Sequence, residues 1–218
     1  MQRIFLTGTN LKAMQLGAAV KDVRYYLNGV FIEATQCETR LVATDGWMLA
    51  AFRTTVKNEL DVPIVTLIVP NEVIKQVKPV KGVNDSLTIE IEDGRYTLIS
   101  GDLRIGFRPL EGIYPDYRRI LATRVSGVVG HYDPDRLAVL KKIGNTLRRS
   151  KNAIPYVHHN GEGNAVITFG CLPTFIGILM HDRNAAAKSE PEAWPALSEE
   201  DVQSIKDQRE ANVARLAA

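Results

Sequence analysis

Hydrophobic and polar positions follow two periods over the first part of the chain, which together predict a strand, a helix and three strands. Dense or alternating apolar residues indicate strands, whereas Leu11, Met14 and Ala18 recur at helical spacing. The predicted elements are a strand over 3–7, a helix over 11–20 capped by Asn10, and strands over 24–33, 39–44 and 47–53. The dipeptide Asn28-Gly29 fits a hairpin turn or, alternatively, a bulge within one strand.

The same order of elements is predicted twice more along the chain. The second set comprises a strand over 64–69, a helix opened by Pro70 and Asn71 that runs to about 78, and strands over 87–92, 95–100 and 103–109. The third set comprises a strand over 128–132, a helix over 134–149 capped by Asp133, and strands over 154–158, 165–169 and 175–180. Units of roughly 60 residues with one element order favour an α+β protein with a symmetric architecture. The units share no obvious sequence, so the alternative is that their common element order is chance.

The last part of the chain differs in composition. Residues 184–195 are rich in Ala, Glu and Pro and are typical of a linker, and a final helix is predicted from Ser198 to about 216. Residues 184–218 hold four basic and seven acidic residues, a net charge of −3, whereas the preceding residues carry +5. This asymmetry favours a polyanionic partner for the body, although a solvated acidic helix is the simpler interpretation.

Composition excludes several classes of protein. The chain has 218 residues, a net charge of +2 and 45% hydrophobic residues, which is typical of a globular protein. It has no apolar run long enough for a transmembrane helix and no apparent leader peptide. Cys37 and Cys171 form no CxxC pattern, so we expect no disulfide scaffold and a cytoplasmic location, without membrane association.

Motifs for catalysis or cofactor binding are absent from the sequence. None of GxGxxG, GxxxxGK[ST], GxSxG and HExxH occurs, so we expect no enzyme activity and no cofactor. His158 and His159 are adjacent and would point to opposite faces of a strand, a poor arrangement for a metal. We therefore predict no metal site.

Basic residues fall on the polar sides of all three predicted helices. In the third helix Leu140, Ile143 and Leu147 form the apolar stripe. The basic residues on or just beyond the helices are Lys12, Lys75, Lys78, Lys81, Lys141, Lys142, Arg148, Arg149 and Lys151. Three helices with one basic side each could line a positive surface that attracts phosphates without reading sequence. The alternative is an ordinary solvated helix face.

Three segments resemble the bacterial DNA sliding clamp family, the beta subunit of the replicative DNA polymerase III holoenzyme. They read DVRYYLNG at 22–29, LVATDGWMLA at 41–50 and YPDYRRI at 114–120. Residues 1–122 resemble the second domain of the family, and 130–183 resemble more weakly the end of its third domain. The first domain and half of the third have no counterpart here, and His181 and Asp182 stand where the family has Pro and Met.

This resemblance implies a DNA-clamp fold, with half-domains of strand-helix-strand-strand-strand, sheets outside and helices lining a ring. It divides the chain into a clamp domain over 1–123, a half-domain over 124–183, and a linker with an acidic C-terminal helix over 184–218. The family ring contains twelve half-domains, so three per chain suggest a homotetramer. A trimer is the alternative if the third region forms a full domain.

The function implied by the resemblance is that of a processivity factor, which encircles double-stranded DNA irrespective of sequence and tethers a polymerase or repair protein. A clamp loader is a further implied partner. The alternative is a clamp-derived module that joins or blocks the host clamp without encircling DNA. An open sheet edge and an uncovered helix stripe on an unpaired half-domain would favour assembly with other copies.

The resemblance also implies two sets of site residues. The groove for partner peptides maps to Leu27, Thr44, Gly46, Trp47, Met48, Leu49, Pro115, Arg119, Ile120, Ile178, Leu179, Met180 and Arg183. Further DNA contacts map to Lys21, Arg24, Tyr25 and Tyr26, where tyrosine rings could stack on unpaired bases. Alternatively, the groove residues are plain core and the tyrosines are buried in a strand.

Overall fold

A computed structural model of the protein describes residues 1–79, 85–121 and 124–182, together with 200, 203, 204, 206 and 207. Residues 1–183 form one compact unit and 184–218 a second. The five isolated positions of the second unit are helical, with Gln203 Nε2 donating a hydrogen bond to Asp207 Oδ1. Lys81, Arg183 and the linker predicted over 184–195 lie outside the described residues.

The first unit contains two antiparallel sheets and a layer of helices. The strands are β1 Gln2–Thr7, β2 Gly29–Ala34, β3 Thr39–Thr44, β4 Met48–Thr54, β5 Val65–Pro70, β6 Ser86–Glu92, β7 Arg95–Ser100, β8 Leu103–Phe107, β9 Tyr156–His158, β10 Ala165–Thr168 and β11 Phe175–Leu179. The α-helices are α1 Gly8–Gln15, α2 Asn71–Gln76 and α3 Pro134–Arg148. One sheet has the order β1-β6-β7-β8, and the other has the order β5-β2-β3-β4-β11-β10-β9.

The seven-stranded sheet crosses the boundary predicted at 123/124. Strand β11 pairs antiparallel with β4, with Ile178 opposite Leu49 and Leu179 opposite Met48. Helix α3 correspondingly packs on α1. The third predicted half-domain therefore has its helix stripe covered within the chain, since Leu140 and Ile143 of α3 are fully buried.

Two apolar clusters fill the two sides of this sheet. The helix-side core joins Leu11 and Met14 of α1, Ile74 of α2 and Leu140 of α3 to inward-facing strand residues. The outer core contains Leu27, Val42, Leu49, Ala51, Ile68, Tyr114, Tyr117, Val166 and Ile178. The segment 108–121 covers part of this outer side, because Tyr114 stacks on Phe31 with ring centroids 4.7 Å apart and Leu110 N donates to Ile68 O.

Helix ends follow from local capping. Thr7 Oγ1 accepts a hydrogen bond from Asn10 N at 3.0 Å, so Thr7 rather than Asn10 caps α1, which begins and ends earlier than predicted. Asp133 caps α3 as predicted, by accepting from Asp135 N. Helix α3 ends at Arg148 and is capped by Arg149, whose φ of 52° places it in the left-handed region.

Two predicted strands are corrected by the structure. Residues 24–33 form a short 3-10 helix, Tyr25–Leu27, followed by β2. Asn28-Gly29 is neither a hairpin turn nor a bulge, because the Asn28 side chain bonds both N and O of Asp22 and closes the loop between them. Residues 128–132 form no strand; the segment is held by single contacts such as Gly161 N to Val128 O and a bridge between Tyr132 and His181.

Candidate DNA-facing and partner-binding surfaces

The outward side of α3 presents exposed basic side chains. Lys141, Lys142 and Arg148 are exposed, and Lys151 is exposed just beyond the helix end. In the part of the chain that the structure describes, none of these four forms an ion pair. They lie opposite the buried residues Leu140 and Ile143, so they form a solvent-facing basic strip on the helix layer.

The basic residues of α1 and α2 differ in the hydrogen bonds and ion pairs that they form within the protein. Lys12 Nζ donates to the carbonyl oxygens of Ile74 at 3.1 Å and Lys75 at 3.3 Å, where it satisfies the end of α2. Burial, and to a lesser degree the charge of Lys75, lowers the pKa of Lys12. Lys75 pairs with Glu72 at 2.7 Å, and Lys78 is exposed. Lys12 therefore stabilises the end of α2 through these hydrogen bonds, in addition to carrying a positive charge.

Arg149, predicted to contact DNA, is exposed and also forms an ion pair with a buried carboxylate. Its guanidinium donates to Asp85 Oδ2 at 2.6 Å and to Thr9 Oγ1 at 3.0 Å. Asp85 is buried and also accepts from Thr9 N at 2.9 Å. Because the left-handed end of α3 turns Arg149 back toward α1, its charge is partly compensated by Asp85, while its side chain remains exposed.

The loop before β2 holds the remaining predicted DNA contacts. Arg24 binds Asp22 through two side-chain hydrogen bonds of 3.0 and 2.8 Å, and these bonds lower the pKa of Asp22 to about 2. Lys21 is exposed with a φ of 57°. Tyr25 is 54% exposed and Tyr26 half-buried, with their rings edge to face at 5.8 Å. The alternative of buried strand tyrosines is therefore wrong.

The residues predicted for the peptide groove divide between the two faces of the sheet. Leu27, Leu49 and Ile178 belong to the outer core, with Ile120 packed against them. Met48 and Leu179 belong instead to the helix-side core, because neighbouring residues of a strand point to opposite faces. The resemblance had assigned all six to one groove, and strand alternation separates Met48 and Leu179 from the other four.

A cavity of about 480 Å³ opens beside the turn between β3 and β4. Trp47 and Met48 line it together with Lys21, Asp45 and Arg136. Trp47 is 60% exposed, and its carbonyl oxygen accepts from Met180 N at 2.9 Å. Two of the predicted groove residues, Trp47 and Met48, thus line an open cavity.

Other predicted groove residues shape this turn or lie on the covering segment. Thr44 Oγ1 donates to Met48 O and accepts from Gly46 N, and Gly46 has a φ of 93°, which favours glycine. Pro115 and Arg119 are exposed on the segment 108–121. Thr44 and Gly46 therefore shape the turn that carries Trp47, and Trp47 lines the cavity.

Arg136 is a site residue that the sequence patterns did not indicate. It forms an ion pair with Asp45 and a second one with Asp133 at 3.4 Å. The predicted helix start at Asp133-Pro134 fixes Arg136 in the first turn of α3. The pairing of β4 with β11, which brings the first turn of α3 against Asp45, could not be predicted from the sequence.

The described residues contain no group of three or more His, Cys, Asp or Glu side chains arranged to hold a metal ion. Among the same residues, no helix has both the length and the apolar character needed to cross a membrane.

Comparison with known proteins places this geometry in one class. The DNA polymerase III beta subunit of Thermotoga maritima matches with a TM-score of 0.66 at 17% identity, over 85% of this chain and 66% of that one. That of Pseudomonas aeruginosa matches with a TM-score of 0.64 at 16% identity, over 83% and 66%. The two sheets and the helix layer define an α+β protein with the DNA-clamp fold.

Sequence comparison gives the family. The profile described as DNA polymerase III beta subunit, central domain, matches residues 6–116. The beta sliding clamp of Escherichia coli K12 is 36% identical over 112 residues, and that of Haemophilus influenzae 29% over 126 residues. The chain belongs to the DNA polymerase III beta subunit family, the bacterial sliding clamps. The matches span 51% and 55% of this chain but only 30% and 32% of those relatives.

Proposed function

We propose that the protein is a short sliding clamp, which surrounds double-stranded DNA as a homo-oligomer and tethers a polymerase or repair protein to it. The observation that carries this proposal is the unpaired basic strip of Lys141, Lys142, Arg148 and Lys151 on the helix layer, among the residues that the structure describes. In this role the protein is a non-catalytic processivity factor.

The basic strip suits a protein that must itself move along DNA. Exposed lysine and arginine side chains contact phosphates without selecting a base sequence, and a few such contacts give weak, salt-sensitive binding. Lys78 on the α2 side and the exposed Tyr25 with Lys21 would add contacts at the margins. A closed ring holds DNA by topology, so its phosphate contacts can stay weak.

The cavity beside Trp47 supports the tethering role. It combines an exposed indole with Met48, Lys21 and the Arg136–Asp45 pair, an apolar and charged mixture suited to a short peptide. We propose that peptides of DNA polymerases or repair proteins bind here, with Thr44 and Gly46 holding the turn that carries Trp47.

Two sheet edges are available for assembly. Strand β1 is bordered by residues 58–59, since Arg3 and Glu59 exchange backbone hydrogen bonds, and Leu110 N bonds the edge of β5 at Ile68 O. Strands β8 and β9 each pair with one neighbour in the described part of the chain. We propose that β8 of one copy joins β9 of the next, head to tail, because a heterologous contact of this kind closes into a ring.

The number of copies follows from the family ring of twelve half-domains, which gives a homotetramer at three per chain, with a trimer as the alternative. A clamp loader that opens the ring is a further proposed partner. The first test is the mass in solution by sedimentation, together with retention on nicked circular DNA compared with linear DNA. A closed ring stays on the circle and slides off free ends.

A second candidate function is a module that joins or blocks a host clamp without encircling DNA. It is favoured by one observation, that β4 is already paired with β11 inside the chain and is not free to join another copy. A stable monomer, or equal retention on linear and circular DNA, would support this candidate and overturn the ring.

A further inference from the structure

A second cavity, of about 360 Å³, opens on the outer face of the seven-stranded sheet. Val42, Ala51 and Ile176 form its apolar floor, Tyr117 forms a wall, and Arg40 and Arg53 border it. Ala51 lies opposite Ile176 in the β4–β11 pair, two residues along from Leu49 and Ile178. This outer groove is therefore displaced by about 7 Å along the strands from the predicted peptide groove.

The Tyr117 hydroxyl within this groove is buried without a hydrogen bond. Tyr117 is 4% exposed, and its oxygen has no hydrogen-bond partner among the described residues. The Arg40 guanidinium lies beside this hydroxyl, and its interactions with Tyr117 and Glu38 raise the pKa of Arg40. A guanidinium can only donate, so the Tyr117 O–H itself meets no acceptor among the described residues. A buried hydroxyl left unpaired costs stability, and a ligand that offers a polar atom would recover that cost.

Charges at the rim favour an acidic ligand. Three arginines, Arg40, Arg53 and Arg118, surround two carboxylates, Glu33 and Glu38. Arg53 is the most exposed of the three, with 57% of its side chain accessible, and it lies 3.6 Å from Glu38. One guanidinium charge therefore remains uncompensated at the entrance of an apolar cavity.

We propose that the outer groove binds a partner peptide that presents an apolar side chain followed by a carboxylate. The apolar side chain occupies the floor formed by Val42, Ala51 and Ile176, and the carboxylate pairs with Arg53. A peptide backbone supplies the polar atom that Tyr117 lacks. The volume lies at the small end of ligand pockets, about 300–1,000 Å³, which suits the anchor of a short peptide better than the surface of a folded copy.

The probe is a fluorescein-labelled peptide with a single Phe-Asp step between Gly-Ser spacers, added to the full chain and followed by anisotropy. We expect saturable binding that weakens about tenfold when the Phe of the peptide is replaced by Ala, and several-fold when its Asp is replaced by Asn. The proposal is overturned if neither substitution in the peptide changes the affinity, or if no saturable binding is found at millimolar peptide.

Variants of the protein locate the site. Tyr117→Phe removes only the unpaired hydroxyl and should weaken binding about 2–10-fold, the value of one hydrogen bond. Arg53→Gln should weaken it several-fold, whereas Arg95→Gln, an exposed strand arginine on the other sheet, should not. A loss of binding in Arg95→Gln to the same extent would mean bulk charge attraction and would overturn the proposal.

Two further measurements distinguish peptide binding in the outer groove from binding at the Trp47 cavity and from a contact between copies of the chain. Trp47→Ala alters the cavity of the proposed tethering site and should leave binding of the Phe-Asp peptide unchanged; a loss of binding in this variant would place the peptide there instead. Arg53→Gln should leave the mass in solution unchanged. A lower mass would make the outer groove a contact between copies and would overturn the proposed peptide site, independently of whether the ring itself exists.

Discussion

Arg149 and Asp85 form an ion pair at 2.6 Å that joins the end of α3 to the residue before β6. Asp85 is almost fully buried, and it also receives the backbone N–H of Thr9 at the start of α1. The pair thus connects α3, α1 and the four-stranded sheet. Arg149 therefore stabilises the packing of α3 against α1, in addition to any contact with DNA.

We predict that Asp85→Ala lowers the free energy of unfolding by about 1–3 kcal/mol, because Arg149 and the Thr9 N–H would be deprived of a buried acceptor. Urea unfolding followed by circular dichroism measures this decrease. Glu72→Ala is the control, since it removes an exposed pair with Lys75 and should cost about 1 kcal/mol or less. Equal decreases in the two variants would show that the Asp85 pair is no stronger than a surface ion pair.

We predict that the triple variant Lys141→Glu, Lys142→Glu and Arg148→Glu weakens binding to duplex DNA and flattens its salt dependence. Removing one lysine–phosphate or arginine–phosphate interaction reduces the slope of log K against log salt by about 0.9. Titration at several salt concentrations measures both the affinity and the slope.

The control for this charge reversal is Lys57→Glu with Arg95→Glu, two exposed basic residues outside the helices. Arg149 is left intact, since its replacement would also break the pair with Asp85. If the control variant bound DNA as weakly as the triple variant, the basic strip would have no special role in DNA binding.

We predict that the loop of Asp22 and Arg24 keeps its ion pair throughout pH 5–8. The pKa of Asp22 is lowered to about 2, mainly by its hydrogen bonds with Arg24. Because the folded pKa lies below the unfolded value of about 3.9, the stabilisation is complete above that value and is lost as the pH falls toward 2. Amide hydrogen exchange of residues 22–28 should therefore be protected down to about pH 4.

Asp22→Asn removes this pH dependence and should raise exchange in the same loop at neutral pH. Protection in wild-type protein that disappeared between pH 7 and 5 would contradict the assignment to Asp22.

We predict that Gly29→Ala destabilises the protein by about 1–3 kcal/mol, the usual cost of overpacking. A Cβ at Gly29 would lie 2.4 Å from Val69 O, a backbone atom of the paired strand β5 that cannot move aside alone. Gly106→Ala in β8 is the matched control, because its Cβ would meet no atom within 4 Å. Thermal unfolding of the two variants should differ, and identical midpoints would argue against this tight β2–β5 approach.

Local patterns in the sequence predicted much of the fold. Alternation located β6 and β7, and the Asp133-Pro134 start located α3, because these signals depend on residues close in the chain. The 3-10 helix at Tyr25–Leu27 was missed, since it depends on the Asn28 side chain reaching back to Asp22. Strand pairing between β4 and β11 joins residues far apart in sequence, and periodicity carries no information about it.

Because strand pairing could not be predicted, the candidate site was predicted only in part. Resemblance assigned Trp47, Met48, Leu49 and Leu179 to one peptide groove, but it did not indicate that Met48 and Leu179 face the helix layer whereas Leu49 faces the outer core. Arg136 and the outer groove around Tyr117 depend on elements that meet only after folding. Residue types could be assigned to a region from sequence, whereas their orientation depends on which strands pair.

The continuous sheet through β4 and β11 has a mechanical consequence. Five residue pairs hold the two strands in one hydrogen-bonded register, so the segments on either side of them cannot rotate about each other without breaking the ladder. If the proposed ring forms, bending that admits or releases DNA would therefore not take place at the β4–β11 junction, and the contacts between copies are where we expect the ring to open.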